Sequence, residues 1–392
     1  MQVRRPTGAI YQNIIKKYQY ATFFTNGVEV KLAMKEKIEL HRKFKLYNKP
    51  AVEEIKTING DTYKCVDFYK QPAFDHPLLR NHSYRPNLDQ YKLQNVSQES
   101  SWKSELWANG KGCPDGTVPI RKYTRKEFIR VHKLFQRLYP SDAPVPGRFR
   151  ACIHTKDGPH TFYGGSAALS VYNFAVGEGQ YSASYLTLRA AQDQLQYGWW
   201  INPSMYGGDG TTRLFLSTEV EKTKCWNLMC GGYVHTHKSI PIDAPITRVT
   251  HRGDITPIEI VPKIVKSPST KQWNLLITHD IALGFWPNEV LKGLSGPAEY
   301  LEWGGEAYNP PDKGLSGPRM GSGYFPQGFG SLDGYARVMA RYDEAVTYFD
   351  MANDELETYS DNKDYYRVID VGYSDKNYGH MAYWGAWCSE FQ

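Results

Sequence analysis

The sequence predicts a mostly β fold: an antiparallel β-sandwich preceded by a small α+β domain. Three observations predict it. Gly and Pro are spread throughout, 34 and 23 of 392 residues, beside 29 Tyr and 14% aromatics, a mix suited to many strands joined by tight turns. From residue 151 onward short stretches alternate with period two, and no strong helical pattern appears before about residue 340. With 41% hydrophobic and 22% charged residues, the chain is globular and long enough for a large core and two domains.

The elements follow in order. The start, "MQVRRPTGAIYQNIIKKYQYATFF", is basic and has no apolar stretch of signal-peptide length. No segment reaches the length of a membrane span, so no membrane partner is expected. "MKEKIELHRKFKLY" (34–47) spaces its apolar residues as a helix. The chain turns at Asn59-Gly60 and enters a strand-like stretch. Residues 85–110 are polar and irregular, and "GCPDGTVPIRKY" is a turn with a short extended piece. Thr124 and Glu127 form a capping box, and Phe128, Val131, Phe135 and Leu138 follow at helical spacing. "YPSDAPVPG" (139–147) ends that helix with three prolines. The expected division is therefore a first domain at 1–140, a Pro-rich linker at 141–150 that is a candidate maturation site, and the sandwich at 151–392.

In the sandwich, "YSASYLTLR" puts Tyr181, Ala183, Tyr185 and Thr187 on one face and Leu186 and Leu188 on the other. "LQYGWWI" groups Gln194, Gln196, Gly198 and Trp200. "YLEWGGEAY" groups Tyr300, Glu302, Gly304, Glu306 and Tyr308, opposite Leu301, Trp303 and Ala307. Two carboxylates two pleats apart, flanked by aromatics, can line a groove, with Gly304 admitting a substrate backbone. The same pattern also describes a solvated outer face.

Charge is uneven. Residues 1–150 hold 28 Lys/Arg against 14 Asp/Glu, and residues 151–392 hold 19 against 27. This suggests electrostatic docking of the first part on the second. The basic residues are dispersed and form no stripe, so nucleic acid is not expected as a partner. Six cysteines include no CxxC pair, which argues against a four-ligand zinc module. His235 and His237 have a metal-capable spacing but no third ligand, and read as a surface pair. No metal or cofactor is expected. Asn81 and Asn95 begin glycosylation triplets, which fit a secreted protein. Asp75-His76-Pro77 reads as a turn, "GGSAALS" lacks the setting of a nucleophile elbow, and "MGSGYFPQGFG" lacks the Lys of a phosphate loop.

"YKCVDFYKQPAFDHPLLRNH" and "GCPDGTVPIRK" resemble the activation segment of the neprosin family, plant glutamic peptidases. "FYGGSAALSVYN", "QYGWWINPSMYGGDGTTRLF", "CWNLMCGGYVHT", "LGFWP", "LEWGGE" and "MGSGYFPQGFGSLDGYARV" resemble successive motifs of its catalytic domain. The resemblance implies a secreted, monomeric zymogen whose pro-domain inhibits a β-sandwich endopeptidase, needing no cofactor, cleaving proline-containing peptides and acting best in acid. It implies two catalytic glutamates. One maps onto Glu306. The other, in an I-E-x-G-W-x-x-x-P pattern, maps onto Gln196, so this chain departs from the pattern there. Glu302, Gly304, Trp199, Trp200, Tyr300 and Tyr308 would line the substrate groove. Bridges Cys65–Cys113 and Cys225–Cys230 are implied. The last family bridge lacks its second cysteine near Tyr365, which leaves Cys388 free or paired with Cys152. The family's C-terminal Gly-Gly-Pro-Gly run is replaced by "YWGAWCSEFQ".

Metal-free peptide hydrolysis needs a base for water, a donor for the oxyanion and a proton for the leaving amine. Gln196 can donate a hydrogen bond but gives up no proton. Losing one acid/base group costs roughly 10²–10⁴-fold. A Gln/Glu pair is similar to that of the eqolisin peptidases, where Gln helps hold the oxyanion. Two readings result: a peptidase with weak or lost activity, or a non-enzymatic secreted module that keeps the peptide groove. Residues 1–140 are expected across the groove, held partly by charge, and released more easily at low pH or high salt.

Overall fold

The computed structural model describes residues 24–25, 28–29, 34–84, 105–138, 145–221, 223–278 and 280–386. The chain divides into two compact units, Met1–Lys45 and Leu46–Gln392. In the first, β1 (Phe24–Thr25) pairs antiparallel with β2 (Val28–Glu29), and helix α1 (Met34–Tyr47) follows over the segment its spacing predicts.

The second unit opens with a three-stranded antiparallel sheet of β3 (Glu53–Lys56), β4 (Thr62–Asp67) and β5 (Thr117–Arg121). The β3–β4 turn passes through Gly60 at φ +85°, a conformation that costs glycine little. A disulfide joins Cys65 to Cys113, as expected. Helix α2 (Arg125–Leu138) starts at the capping box: Thr124 N donates to Glu127 Oε2 at 2.7 Å, and Glu127 N to Thr124 Oγ1 at 3.3 Å. Its apolar stripe buries Phe128, Val131 and Leu138.

The rest is strand. In chain order come β6 (Arg148–Thr155), β7 (Gly164–Ser170), β8 (Tyr181–Ala190), β9 (Asp193–Ile201), β10 (Arg213–Val220), β11 (Thr223–Trp226) and β12 (Val234–His235). There follow β13 (Glu259–Ile260), β14 (Lys263–Lys266), β15 (Trp273–Ile277), β16 (Ile281–Trp286) and β17 (Tyr300–Tyr308). β18 (Gly334–Tyr342), β19 (Tyr348–Asp350), β20 (Leu356–Ser360), β21 (Tyr366–Tyr373) and β22 (His380–Ala386) complete the chain. One sheet has seven strands in the order β11-β10-β9-β8-β17-β6-β20. The other has ten, running β12-β16-β15-β14-β7-β18-β22-β21 with β13 on β7 and β19 on β18. Pairing within both is antiparallel.

The sheets pack face to face because alternation gives each an apolar side. Leu186, Leu188, Leu195, Trp199, Leu301 and Trp303 of the seven-stranded sheet are fully buried. Buried indoles need acceptors, and they find them across the interface. Trp199 Nε1 donates to Ser170 O at 2.9 Å, Trp303 Nε1 to Ser166 O at 3.2 Å, and Trp384 Nε1 to Ser184 Oγ at 3.2 Å. The expected linker ran to residue 150, but β6 begins at Arg148, so Arg148 and Arg150 belong to the sheet. "GGSAALS" is β7, buried along its whole length.

Candidate active site

The outer face of the seven-stranded sheet is set by register. Gln196 on β9 stands opposite Ser217 on β10 and Thr187 on β8; Thr187 stands opposite Glu302 on β17, and Glu302 opposite His154 on β6. One pleat on, the row reads Gly198, Tyr185, Gly304, Cys152. The next reads Trp200, Ala183, Glu306, Arg150. Gln196 and Glu306 thus share one face, diagonally across Tyr185. Glu302 and Glu306 are both buried, so this is not a solvated outer surface.

The glycines of the middle row serve strand packing. A Cβ on Gly198 would lie 2.0 Å from Ser184 O, and one on Gly304 2.4 Å from Cys152 Cβ. Gly304, expected to admit a substrate backbone, is required first by β6. Trp199 is corrected outright: expected in the groove, it points into the inter-sheet core, because period-two alternation sends it opposite to Gln196 and Trp200.

The two carboxylates differ. Glu302 accepts the hydroxyls of Tyr185 at 2.7 Å and Tyr300 at 2.5 Å, and lies 3.5 Å from Arg150 Nη1. Burial works to raise its pKa, but the Arg150 charge and the two phenols outweigh it and hold the carboxyl below its ordinary value. Its oxygens are occupied, so Glu302 is a poor base. Glu306 accepts Tyr181 Oη at 2.5 Å and lies 4.0 Å from Arg148 Nε. The Gln196 amide makes no hydrogen bond to another described residue, and the neighbouring Ser217 Oγ and Thr187 Oγ1 are buried without partners. This row therefore offers polar groups to whatever enters.

Beside Glu306 the wall is aromatic. Trp200 stacks on Phe215 and Trp226, both at 5.0 Å, and Tyr181 stacks on Tyr308 at 5.6 Å. Tyr300 closes the other end, under the Arg189 guanidinium at 3.7 Å. Lys224 of β11 is half-buried over Trp226, its ammonium 5.2 Å from the ring centroid. Burial pushes it down to about 8, opposed by the charge of Glu306 and assisted by Arg148; Glu219 and Arg150 act on it as well. A flat sheet would hold β11 and β6, five strand spacings apart, at roughly 24 Å. Trp226 of β11 nonetheless stacks at 5.0 Å on Trp200 of β9, two strands away, so the sheet curls toward this face and forms a trough.

The trough is covered. Phe135 of α2 stacks on Trp226 at 5.7 Å, and Leu138 and Val145 pack with Tyr181 and Tyr308. The region carrying α2 is anchored alongside. Asp61 lies 2.5 Å from Arg121 Nη2 and 2.5 Å from Arg213 Nη1. Tyr63 Oη donates to Asp243 at 3.1 Å. Gln71 clamps the His235 backbone, accepting its N–H at 2.8 Å and donating to its carbonyl at 3.0 Å. Trp107 Nε1 donates to Ser239 O at 2.8 Å.

Residues 178–386 match the neprosin domain, and residues 54–156 match the neprosin activation peptide. The chain belongs to the neprosin family. The neprosin match contains Gln196, Glu302 and Glu306, and the activation-peptide match contains Asp61, Gln71 and all of α2. The pro-domain is thus part of the same chain as the groove. Among solved structures the chain is similar to scytalido-glutamic peptidase with a peptide-based transition-state analog, at 10% identity over 62% of this chain and 99% of that one, TM-score 0.34. SCP-B, a member of the eqolisin family of peptidases, in a complex with the tripeptide Ala-Ile-His, gives 10%, 62%, 99% and 0.32. The apo Crh5 transglycosylase gives 10%, 43%, 66% and 0.23.

Outside the trough, Cys225–Cys230 forms as expected. Cys152 is a free, buried thiol, pushed well above its ordinary value by burial, and Cys388 lies outside the described residues. Asn81 is exposed; Asn95 lies outside the described residues. His235 is not a surface residue: it is fully buried under Gln71, which pushes its imidazole down to about 3. Among the described residues no three His, Cys, Asp or Glu side chains gather into a metal-holding group. Tyr181 and Tyr185 were on the correct face of the alternation but were not singled out. Arg148, Arg150, Lys224, Trp226 and Phe135 carried no local signal, since only the curl and the fold-back of α2 bring them to the trough.

Proposed function

We propose that the chain is the zymogen of a glutamic-type endopeptidase of the extracellular space, acting on proline-containing peptides with Glu306 as base and Gln196 as oxyanion donor. The observation that carries this reading is the unpartnered Gln196 amide on the same face as Glu306. In the reaction Glu306 takes a proton from water as its oxygen attacks the scissile carbonyl carbon. The oxyanion then receives a hydrogen bond from the Gln196 NH₂. Tyr181 orients the Glu306 carboxylate.

In a flat sheet the two Cα atoms would sit roughly 16 Å apart. An amide, carbonyl, water and carboxylate in series fill about 8 Å, leaving each side chain about 4 Å to span. The curl of the sheet toward this face brings the two side chains nearer than that flat-sheet span. Phe135 and Leu138 of α2 occupy the aromatic wall where a substrate residue would lie, which supports inhibition by the pro-domain. Turnover falls below that of a two-carboxylate site by roughly 10²-fold or more.

The test is cleavage of a proline-containing peptide in acid by the chain nicked within residues 141–147, beside Gln196→Glu and Glu306→Gln. Slow cleavage that rises in the first variant and vanishes in the second supports the reading. Silence in wild type with rescue by Gln196→Glu supports the second reading, a binding module, which the uncharged residue at 196 favours. Silence in all three removes the peptidase reading.

A further inference from the structure

Glu306 and Gln196 account for a base and an oxyanion donor but leave the departing amine without a proton. We propose that Lys224 is a catalytic residue of this trough, the general acid that protonates the leaving amine in place of the carboxyl that residue 196 lacks. The inference rests on the peptidase reading.

The placement is the first support. Lys224 is on the groove face of β11, opposite Glu219 of β10, and its stem lies along Trp226. Trp226 stacks on Trp200, the residue in register with Ala183 and through it with Glu306. Among the described residues, the charges that bear most on the ammonium are Glu219 from β10, Glu306 from β17, and Arg148 and Arg150 from β6. Through the Trp226–Trp200 stack the Lys224 ammonium stands against the aromatic wall of the trough. From α2, Phe135 lies on the other partner of this stack, Trp226 itself. A substrate residue in that place would cover the Trp226 ring as Phe135 does.

The chemistry is the second support. A lysine at its ordinary value donates a proton poorly near neutrality, because the donor best suited to a task titrates close to the working pH. Burial has brought Lys224 down to about 8. The step balances as follows. Water adds to the carbonyl carbon and gives its proton to Glu306. The C–N bond breaks as Lys224 delivers a proton to the nitrogen. The Glu306 carboxyl then returns its proton to Lys224, and both groups are reset. No oxidant, metal or further reactant enters. Because the acid is an ammonium, activity extends to neutral pH and falls as Lys224 loses its proton.

The experiment compares wild type, Lys224→Met, Lys224→Arg, Gln196→Glu and the Gln196→Glu/Lys224→Met double variant, each as the full chain nicked in the linker. It reads kcat/KM for a quenched proline-containing peptide from about pH 3 to about pH 9. The expected result is a wild-type alkaline limb near pH 8, a loss of about 10²-fold at neutrality in Lys224→Met, and disappearance of that limb. Lys224→Arg keeps the stem and charge, so it folds as wild type, yet stays equally slow because guanidinium holds its proton. In the Gln196→Glu background, Lys224→Met costs little, since a carboxyl then supplies the proton. An active wild type whose rate and pH profile survive in Lys224→Met and Lys224→Arg overturns the role of Lys224 and leaves the peptidase reading intact. A silent wild type beside an active Gln196→Glu overturns the role of Lys224 and favours the binding-module reading. Silence in both overturns both.

Discussion

Asp61 shares its carboxylate between two arginines of different origin, Arg121 of its own domain and Arg213 of the sandwich, each at 2.5 Å. Arg213 is fully buried and also holds Asp209 at 2.5 Å, so removing Asp61 strips a buried cation of one of its partners.

Asp61→Asn is expected to loosen the pro-domain by about 3 kcal/mol at neutral pH, the cost of breaking a buried pair. Burial favours a raised pKa for Asp61, but the hydrogen bond and charge of Arg121 and the charge of Arg213 prevail and lower it. A lowered carboxyl contributes stability above its unpaired value and loses it as pH falls through its docked value. Asp243 opposes this: burial raises its pKa, so its protonation favours the docked state. Wild type should therefore stay docked until pH drops below the usual aspartate range. Susceptibility of the linker to a protease, followed against pH, checks it: Asp61→Asn should be cut at a higher pH. Equal profiles would remove Asp61 as the latch. Because the pair is buried, added salt should shift the profile only slightly, less than charge asymmetry alone suggests.

Phe135→Ala is expected to act differently. It removes an uncharged ring from Trp226 and should cost about 2–3 kcal/mol of docking at every pH. Linker cleavage should rise by the same factor at every pH where the docked state prevails, so the slope of its logarithm against pH stays that of wild type. A changed slope would mean that α2 and the Asp61 latch respond as one unit.

Tyr300→Phe tests the buried acid. A hydrogen bond to a charged group contributes roughly 1.5–3 kcal/mol, so the melting temperature should fall. Glu302 has a lowered pKa, so its contribution is present above its unfolded value and lost as pH falls through the folded one. With Tyr300 Oη gone, that loss should begin at a higher pH. Thermal melts across the acid range check this; a deficit independent of pH would assign Tyr300 a packing role only.

The local features of this fold were legible. Helix α1 and the capping box of α2 lie where their spacing puts them, because both depend on contacts within one turn. The faces of β8, β9 and β17 follow from period two. The pairing of Gln196 with Thr187 and Glu302 was not legible, since register is set by partners far away in sequence. Nor was the sense of the ion pairs. The first part is basic and the second acidic, and Arg121 meets Asp243 and Arg150 meets Glu302 in that sense, yet Asp61 meets Arg213 and Asp115 meets Lys238 with the signs reversed. Net charge is a long-range average, whereas a buried pair answers to its own few neighbours. His235 looked solvent-facing because its strand is two residues long and Gln71 arrives from 164 positions away.

Under the proposed function, the Cys65–Cys113 link bears on how the activation-peptide region is released. It ties β4 to the approach to β5, so a single cut anywhere from residue 66 to residue 112 yields fragments that stay stitched together. Only a cut beyond α2 can free the lid as one piece. A cut in the polar stretch 85–104 would therefore leave both fragments joined for as long as the disulfide stays oxidised.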